Sequence, residues 1–364
     1  MKILNGEGKR WLNLASLVRR PKADVGRTPA DVVHTENKWR LLRYRGTPTK
    51  KTPVLLVPSL INRHYVLDLL PGKSFAEHMV EAGHDVYILD WGRPSDDDRF
   101  LTFDDVCDGY LGRAIRKVAR TSPDDKAHVF GYCLGGTLAA IHTAARPEHV
   151  ASLVQIAAPV SFEDDGQLSA WTRSPTFDID ALLEAFGNVP AWLMQASFQM
   201  LRPTLPLAKL VHVIDKAGDD DFLEGFRAME TWANDNVDFP GEVYRRYIKE
   251  LYREDQLIRG TFRLSGRPAR LESIACPVMC ITFQHDNIVP WRSASVMLDR
   301  IASTDKEHLH IPGGHVGSVV SRAAKKHLWP KISAFWARYS GERGRNARSL
   351  DSAPSALRST RASR

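Results

Sequence analysis

Short runs of apolar residues recur along the chain, separated by segments whose apolar positions return every three or four residues. Pro53–Pro58 (PVLLVP), Asp85–Trp91 (DVYILDW), Ala127–Tyr132, Val150–Ala157, Pro277–Gln284 and His308–Ile311 are such runs. An unbroken apolar run of this length reads as a strand buried on both faces. Phe103–Arg120, Leu134–Ala145, Arg292–Ile301 and Val319–Tyr339 carry helical spacing, and Arg146–Pro147 stops the second of them. Strand and helix alternate, which predicts an α/β fold with a mostly parallel, doubly wound sheet. The alternation breaks once. From Phe162 to Arg270 the spacing is helical and no strand is predicted. That segment reads as a helical cap inserted into a core made of residues 51–161 and 271–340. Residues 1–50 read as a peripheral start, with a helical piece, a proline-bearing link and a strand near Lys38–Tyr44. The cap is rich in aromatics: Trp171, Phe177, Phe186, Trp192, Phe198, Phe222, Phe226 and Trp232. Most of them suit the cap's own core, and the rest would line an apolar tunnel or an interface.

Composition narrows the setting. At 364 residues with 43 % hydrophobic positions, the chain can bury a sizeable core. No apolar run reaches the length of about eighteen residues that a transmembrane helix needs. The N-terminus is amphipathic and charged and lacks a secretory signal's apolar stretch. Four cysteines, Cys107, Cys133, Cys276 and Cys280, are too few for a disulfide framework and suit a reducing, cytoplasmic setting. Cys276 and Cys280, with His308 and His310 nearby, invite a metal reading. The run CPVMCITF is better read as a buried strand in which cysteine is a small hydrophobe, so no metal is expected. The net charge of +7 is uneven: residues 341–364 hold six arginines against Glu342 and Asp351, hence +4 of it. That tail reads as a solvated, disordered segment. Without interleaved aromatics it makes no case for nucleic acid.

The chemistry concentrates in VFGYCLGGTLAA, residues 129–140. A strand ends in Gly131-Tyr132-Cys133-Leu134-Gly135, and a helix begins. This is the G-x-S-x-G nucleophile elbow with cysteine in place of serine. Such a turn holds its nucleophile in a strained backbone conformation and needs small residues two before and two after, where backbones approach. The helix that follows aims its N-terminus at the sulfur, which favours a thiolate and the oxyanion formed after attack. Leu134 N–H is the predicted main oxyanion donor. The plainer alternative is a glycine-rich turn around a structural cysteine; the placement between strand and helix argues against it.

In the α/β-hydrolase order, an acid and then a histidine follow the nucleophile. CITFQHD places Asp286 just past a late strand, and LHIPGGHVG places His315 on a glycine-flanked loop past the last one. Cys133, Asp286 and His315 are the predicted triad. His315 would move the proton, and Asp286 would hold its tautomer. Asp286 could instead be a turn residue or a helix N-cap, His285 is expected to point the other way off the strand end, and His142 reads as structural. A second oxyanion donor is expected from the loop after the first core strand, at the backbone of Ile61 or Asn62.

At this point several separated stretches resemble the polyhydroxyalkanoate synthases. They are PVLLVPSLINRHYVLDLLPGKSF, GHDVYILDWGRPSDDD with LTFDDV, the GYCLGGT elbow, HDNIVPWRSA and GGHVGSVVS. The resemblance runs from Thr52 to Tyr339. It implies an α/β-hydrolase core with a mobile cap and a cysteine-dependent polymerase of 3-hydroxyacyl-coenzyme A. Cys133, Asp286 and His315 fall on the family's catalytic positions. The residues around Asp90-Trp91-Gly92, Met229–Trp232 and Gly314-His315 look like the short type, which works with a separate partner subunit. Tyr132, beside the cysteine, is more like the long type. The family likeness further implies a cytoplasmic enzyme on polyester granules, acting as a homodimer on short acyl units, with coenzyme A as leaving group and no cofactor.

A cysteine suits such a polymerase. A chain held as thioester lies close in energy to the incoming acyl-coenzyme A, and the next hydroxyl can attack it, provided water is excluded. Two other functions use the same residues: a thioesterase or polyester depolymerase, and a catalytically silent granule-coating protein. Release of coenzyme A tied to polymer, not free acid, separates the first; a covalent acyl-enzyme separates the second.

Overall fold

The computed structural model describes residues 6–19 and 22–341. Ten strands lie among them: β1 Ala30–Glu36, β2 Trp39–Tyr44, β3 Val54–Val57, β4 Val86–Asp90, β5 Ala127–Tyr132, β6 Val150–Ile156, β7 Arg263–Leu264, β8 Arg267–Pro268, β9 Val278–Phe283 and β10 Lys306–Ile311. Eight form one sheet in the order β1-β2-β4-β3-β5-β6-β9-β10. β1 and β2 run antiparallel, and every pairing from β4 to β10 is parallel.

The burial pattern explains the pairing. β3, β4, β5 and β9 are buried at every position, as strands covered on both faces must be. β10 alternates, because it closes the sheet's edge. One face is covered by the helices Gly112–Ala119 and Leu134–Ala145. The second of these, LGGTLAAIHTAA, is buried from Leu134 to Ala144, and its small side chains let it lie close to the sheet. The other face is an aromatic layer in which Phe75 meets Phe130 at 4.9 Å and Trp329 at 5.9 Å between ring centroids.

Between β6 and β9 lie the helices Gln167–Arg173, Ile179–Phe186, Ala191–Met200, Leu205–Asp215, Asp220–Ala233 and Gly241–Arg246, then a wide π-turn at Tyr247–Arg253. The segment also contains strand, against expectation. β7 and β8 form a two-residue hairpin that packs on the helix Leu134–Ala145, so the end of the insertion rests on the core. Asp255 ties the two ends together, accepting from Ser161 Oγ at 3.0 Å, Phe162 N at 2.9 Å and Glu163 N at 3.2 Å. The acidic stretches Asp178–Asp180 and Asp219–Asp221 are helix starts: Asp178 caps Asp180 and Ala181 N–H, and Asp219 caps Phe222 N–H. Of the insertion's aromatics Trp232 is buried, whereas Trp192 and Phe186 are exposed. Two other expected helices are interrupted. Arg292–Ile301 divides into Trp291–Ser295 and Met297–Arg300, and Val319–Tyr339 into Gly317–Val320, Arg322–His327 and Trp329–Tyr339. The basic tail lies outside the described residues from 342 onward.

Candidate active site

Cys133 is the entire turn between β5 and the helix Leu134–Ala145. Its backbone sits at φ 54°, ψ −131°, a conformation that L residues avoid. Hydrogen bonds hold it there. Cys133 N donates to Ile156 O at 3.0 Å, and Cys133 O accepts from Gly136 N at 2.9 Å. Thr137 Oγ1 donates to Pro159 O at 2.7 Å and Gln155 Nε2 to Gly136 O at 2.8 Å, fastening the first helical turn to β6 and the loop beyond it.

The glycines are a packing requirement. A Cβ on Gly131 would stand 2.3 Å from Gly136 Cα, one on Gly136 2.4 Å from Ala158 Cβ, and one on Gly135 2.3 Å from the carbonyl oxygens of both Val57 and Pro58. Elbow and β3 end therefore meet backbone to backbone, and the β6 exit meets the elbow through Ala158 Cβ.

The structure brings Asp286 and His315 together beside this turn. His315 Nδ1 lies 2.7 Å from Asp286 Oδ2, with the two side chains 8 % and 1 % exposed. The other carboxylate oxygen, Oδ1, accepts from Ile288 N and Val289 N, each at 2.9 Å. Asp286 is thus a turn residue as well as a histidine partner, and the turn is what aims Oδ2. Burial works to lower the pKa of His315, but the Asp286 carboxylate and then Cys133, each also hydrogen-bonded to the ring, outweigh it and push it up to about 10. The ring lies between a carboxylate and a sulfur. Tyr132 stands against it, with ring centroids 5.5 Å apart and its hydroxyl donating to His315 O at 3.4 Å.

Leu134 occupies the first helical position, where no helix carbonyl can accept its N–H. Ile61 and Asn62 lie in the turn after β3, whose last carbonyls press on Gly135, so the loop expected to hold the second donor abuts the elbow.

Sequence reasoning missed the aromatic wall. Phe162 meets Tyr252 at 4.8 Å, Tyr252 meets Tyr247 at 5.3 Å, and Tyr247 meets Phe239 at 6.0 Å. Burial raises both tyrosine pKa values, and Cys133 adds to the rise. Residues five apart would diverge on an α-helix. The π-turn at Tyr247–Arg253 widens the coil so that they share a face. Two tyrosines five apart were the signal, legible only with the turn type known.

The remaining candidates fall elsewhere. His285 is exposed, and its amide donates to Gly313 O at 2.9 Å. His142 is buried, with Nδ1 3.1 Å from Cys107 O, and burial lowers its pKa to about 4. Burial pushes the thiols of Cys276 and Cys280 up to about 11 and about 12. His308 and His310 each lie 2.9 Å from Thr282 Oγ1, and among the described residues no three potential ligands gather around a metal-sized space.

A parallel sheet with a strained elbow and an acid–histidine pair on the loops after β9 and β10 defines an α/β-hydrolase fold. The family model described as "alpha/beta hydrolase fold" matches residues 52–321. The crystal structure of Paleococcus ferrophilus monoacylglycerol lipase superposes with a TM-score of 0.52 at 16 % identity, over 84 % of this chain and 100 % of that one, and shows the fold alone. A second model, "Poly-beta-hydroxybutyrate polymerase (PhaC) N-terminus", matches residues 22–79. Poly(3-hydroxyalkanoate) polymerase subunit PhaC of Haloferax mediterranei is 34 % identical over 92 % of this chain and 71 % of its own length. The protein of the same name from Allochromatium vinosum is 34 % identical over 92 % of this chain and 95 % of its own length. The chain belongs to the poly(3-hydroxyalkanoate) polymerase family and is a polymerising enzyme. No helix among the described residues is long and apolar enough to cross a membrane.

Proposed function

We propose that polymerisation runs through Cys133 as covalent carrier, with His315 as proton carrier and Asp286 as its orienting carboxylate. Cys133 gives its thiol proton to His315, and its Sγ attacks the thioester carbonyl of a 3-hydroxyacyl-coenzyme A. The oxyanion rests on Leu134 N–H and a donor from the Ile61–Asn62 turn. The bond to coenzyme A breaks, and the departing thiolate takes its proton from His315. The 3-hydroxyl of a further acyl unit then loses its proton to His315 and attacks the acyl-enzyme carbonyl. An ester bond forms, the bond to Sγ breaks, and the chain is longer by one unit. The observation that carries this reading is the 2.7 Å contact of His315 with Asp286 beside a cysteine held at positive φ.

The packing of Phe162, Tyr247 and Tyr252 on one another, with both tyrosines responding to the charge of Cys133, supports a short acyl unit such as 3-hydroxybutyryl. The relation to the short type supports a separate partner subunit, and the family relation a homodimer on the surface of cytoplasmic polyester granules. The test is purified protein with 3-hydroxybutyryl-coenzyme A, with and without a candidate partner, following thiol release and polymer together. Cys133→Ala should abolish both and keep the fold. Free 3-hydroxybutyrate in place of polymer would instead mark a hydrolase, and polymer from Cys133→Ala would overturn the assignment.

A further inference from the structure

The turn after β3 is held by the insertion. Val237 N donates to Ile61 O at 3.3 Å, Asn62 Nδ2 to Asn236 Oδ1 at 2.5 Å, Trp232 Nε1 to Arg63 O at 2.9 Å and Tyr65 OH to Asp235 Oδ2 at 2.5 Å. Trp232, near the end of its helix, and the consecutive link residues Asp235, Asn236 and Val237 thus take hold of the turn in parallel. Trp232 is buried, and Arg93 adds an ion pair to Asp235. The link is equally tied to the insertion's interior. Phe239 and Val189 exchange backbone hydrogen bonds at 2.9 Å each, Asp238 Oδ1 accepts from Ala191 N at 2.8 Å, and Asn236 Nδ2 donates to Gln195 Oε1.

On its other side the turn rests on the sheet. Trp91 Nε1 donates to Pro58 O at 2.9 Å, and Arg63 Nη1 to Gly92 O at 3.0 Å. Asp90, its side chain 1 % exposed, gathers Arg40, Arg63 and His64 beneath. The sheet side fixes the two ends of the turn, Pro58 and Arg63. The middle, Ile61 and Asn62, is held by residues 236 and 237 of the insertion.

We propose that Trp232–Val237 is a positioning strap: by fixing Ile61 and Asn62 it sets the second oxyanion donor, so the oxyanion hole is complete only while this part of the insertion is docked. The inference rests on the reading of Cys133 as nucleophile and of this turn as donor. The strap residues touch no reacting atom and act through the turn. A donor displaced by a fraction of an ångström stabilises the tetrahedral intermediate less, while ground-state binding of coenzyme A is untouched.

The test is Asn236→Ala in the full chain, which removes the acceptor of Asn62 Nδ2 and the donor to Gln195 Oε1, and so loosens the insertion's hold on the middle of the turn. The expected result is a fall in kcat of roughly tenfold or more with KM for 3-hydroxybutyryl-coenzyme A within about twofold. Iodoacetamide alkylation of Cys133 proceeds by direct displacement and needs no oxyanion hole, so its rate should stay within about twofold of wild type. Unchanged kcat in a folded variant overturns the strap, as does an equal fall in turnover and alkylation, which would mean general damage to the site. The underlying reading is checked separately in wild type: if alkylated Cys133 still polymerises, the nucleophile is wrong whatever the variant does.

Discussion

Gly135→Ala tests whether elbow and oxyanion turn are in true backbone contact. The new Cβ would lie 2.3 Å from both Val57 O and Pro58 O and 2.7 Å from Pro58 C. All three are backbone atoms, so no side-chain rotation relieves them. Restoring ordinary contact requires a separation of about 1 Å between the helix carrying Leu134 N–H and the strand end that leads into Ile61. Overpacking of this kind costs about 1–3 kcal/mol. A displacement of about 1 Å at the reacting centre costs about a hundredfold in rate. The expected outcome is a lower midpoint in urea with turnover reduced about a hundredfold, more than a small loss of folded protein can explain. Gly225→Ala is the control. It lies in the helix Asp220–Ala233, where its Cβ meets only Lys73 Nζ at 3.5 Å, and it should leave stability equal or slightly raised. A Gly135→Ala protein with wild-type midpoint and turnover would refute the contact and the geometry built on it.

Asp286→Asn removes the largest influence holding the His315 pKa up, so the imidazole's titration midpoint, followed by NMR of its Cε1, should fall from about 10 toward and below the ordinary 6.5, with turnover down by roughly 10⁴; an unmoved midpoint would mean that another group sets it. His128 is buried between Ser152 Oγ and Ser340 Oγ, each at 2.8 Å, and burial lowers its pKa to about 3. The unfolded chain therefore binds the extra proton between pH 6.5 and about 3, stability must decline as pH falls through that window, and His128→Gln should remove about 1.4 kcal/mol per pH unit of the decline in urea titrations. If the insertion covers Cys133 in the resting enzyme, a bulky thiol reagent should label Cys133 slowly, and short polymer primers or a partner subunit should speed the labelling and shorten any lag in turnover; immediate full labelling without lag would show a permanently open site.

The parallel strands were legible because both faces of the sheet are covered, which leaves unbroken runs such as VLLV and VMCITF. The elbow was legible for a similar reason: its glycines answer to contacts that any such turn must make. β1 was not, since ADVVHTE is an exposed edge strand with a polar, alternating pattern that needs its neighbour β2 to exist. The breaks after Val319 did leave marks. Ser321 Oγ accepts from Ala324 N at 3.1 Å and starts a new helix, and Pro330 sits in the first turn of the next. Both were hidden by an apolar spacing that runs through them. The acidic stretches Asp178–Asp180 and Asp219–Asp221 look turn-prone in sequence because the residues that cap helices also make turns. The strap could not be read at all. Asn62 and Asn236 lie far apart in the chain, and nothing in NDNVDFP signals that its partners are the turn after β3.

A polymerase on this scaffold has to keep its thioester from water, because hydrolysis is downhill and the fold serves hydrolysis elsewhere. An aromatic wall such as Phe162, Tyr247 and Tyr252 would exclude water only in the docked state. If the insertion lifts to admit coenzyme A or pass polymer, water reaches the acyl-enzyme too. The strap closes that gap. If Ile61 and Asn62 hold their donor in place only through Val237 and Asn236, lifting the insertion exposes the thioester and disassembles the oxyanion hole in the same movement. Water then meets a carbonyl that has lost its second donor, and attack is slow for want of catalysis, not for want of access. Removing one such donor costs about a hundred- to a thousandfold in comparable acyl-transfer sites, which is a large selectivity from one short link. Transfer over hydrolysis would thus follow from a coupling: the hole is complete only while the insertion is docked.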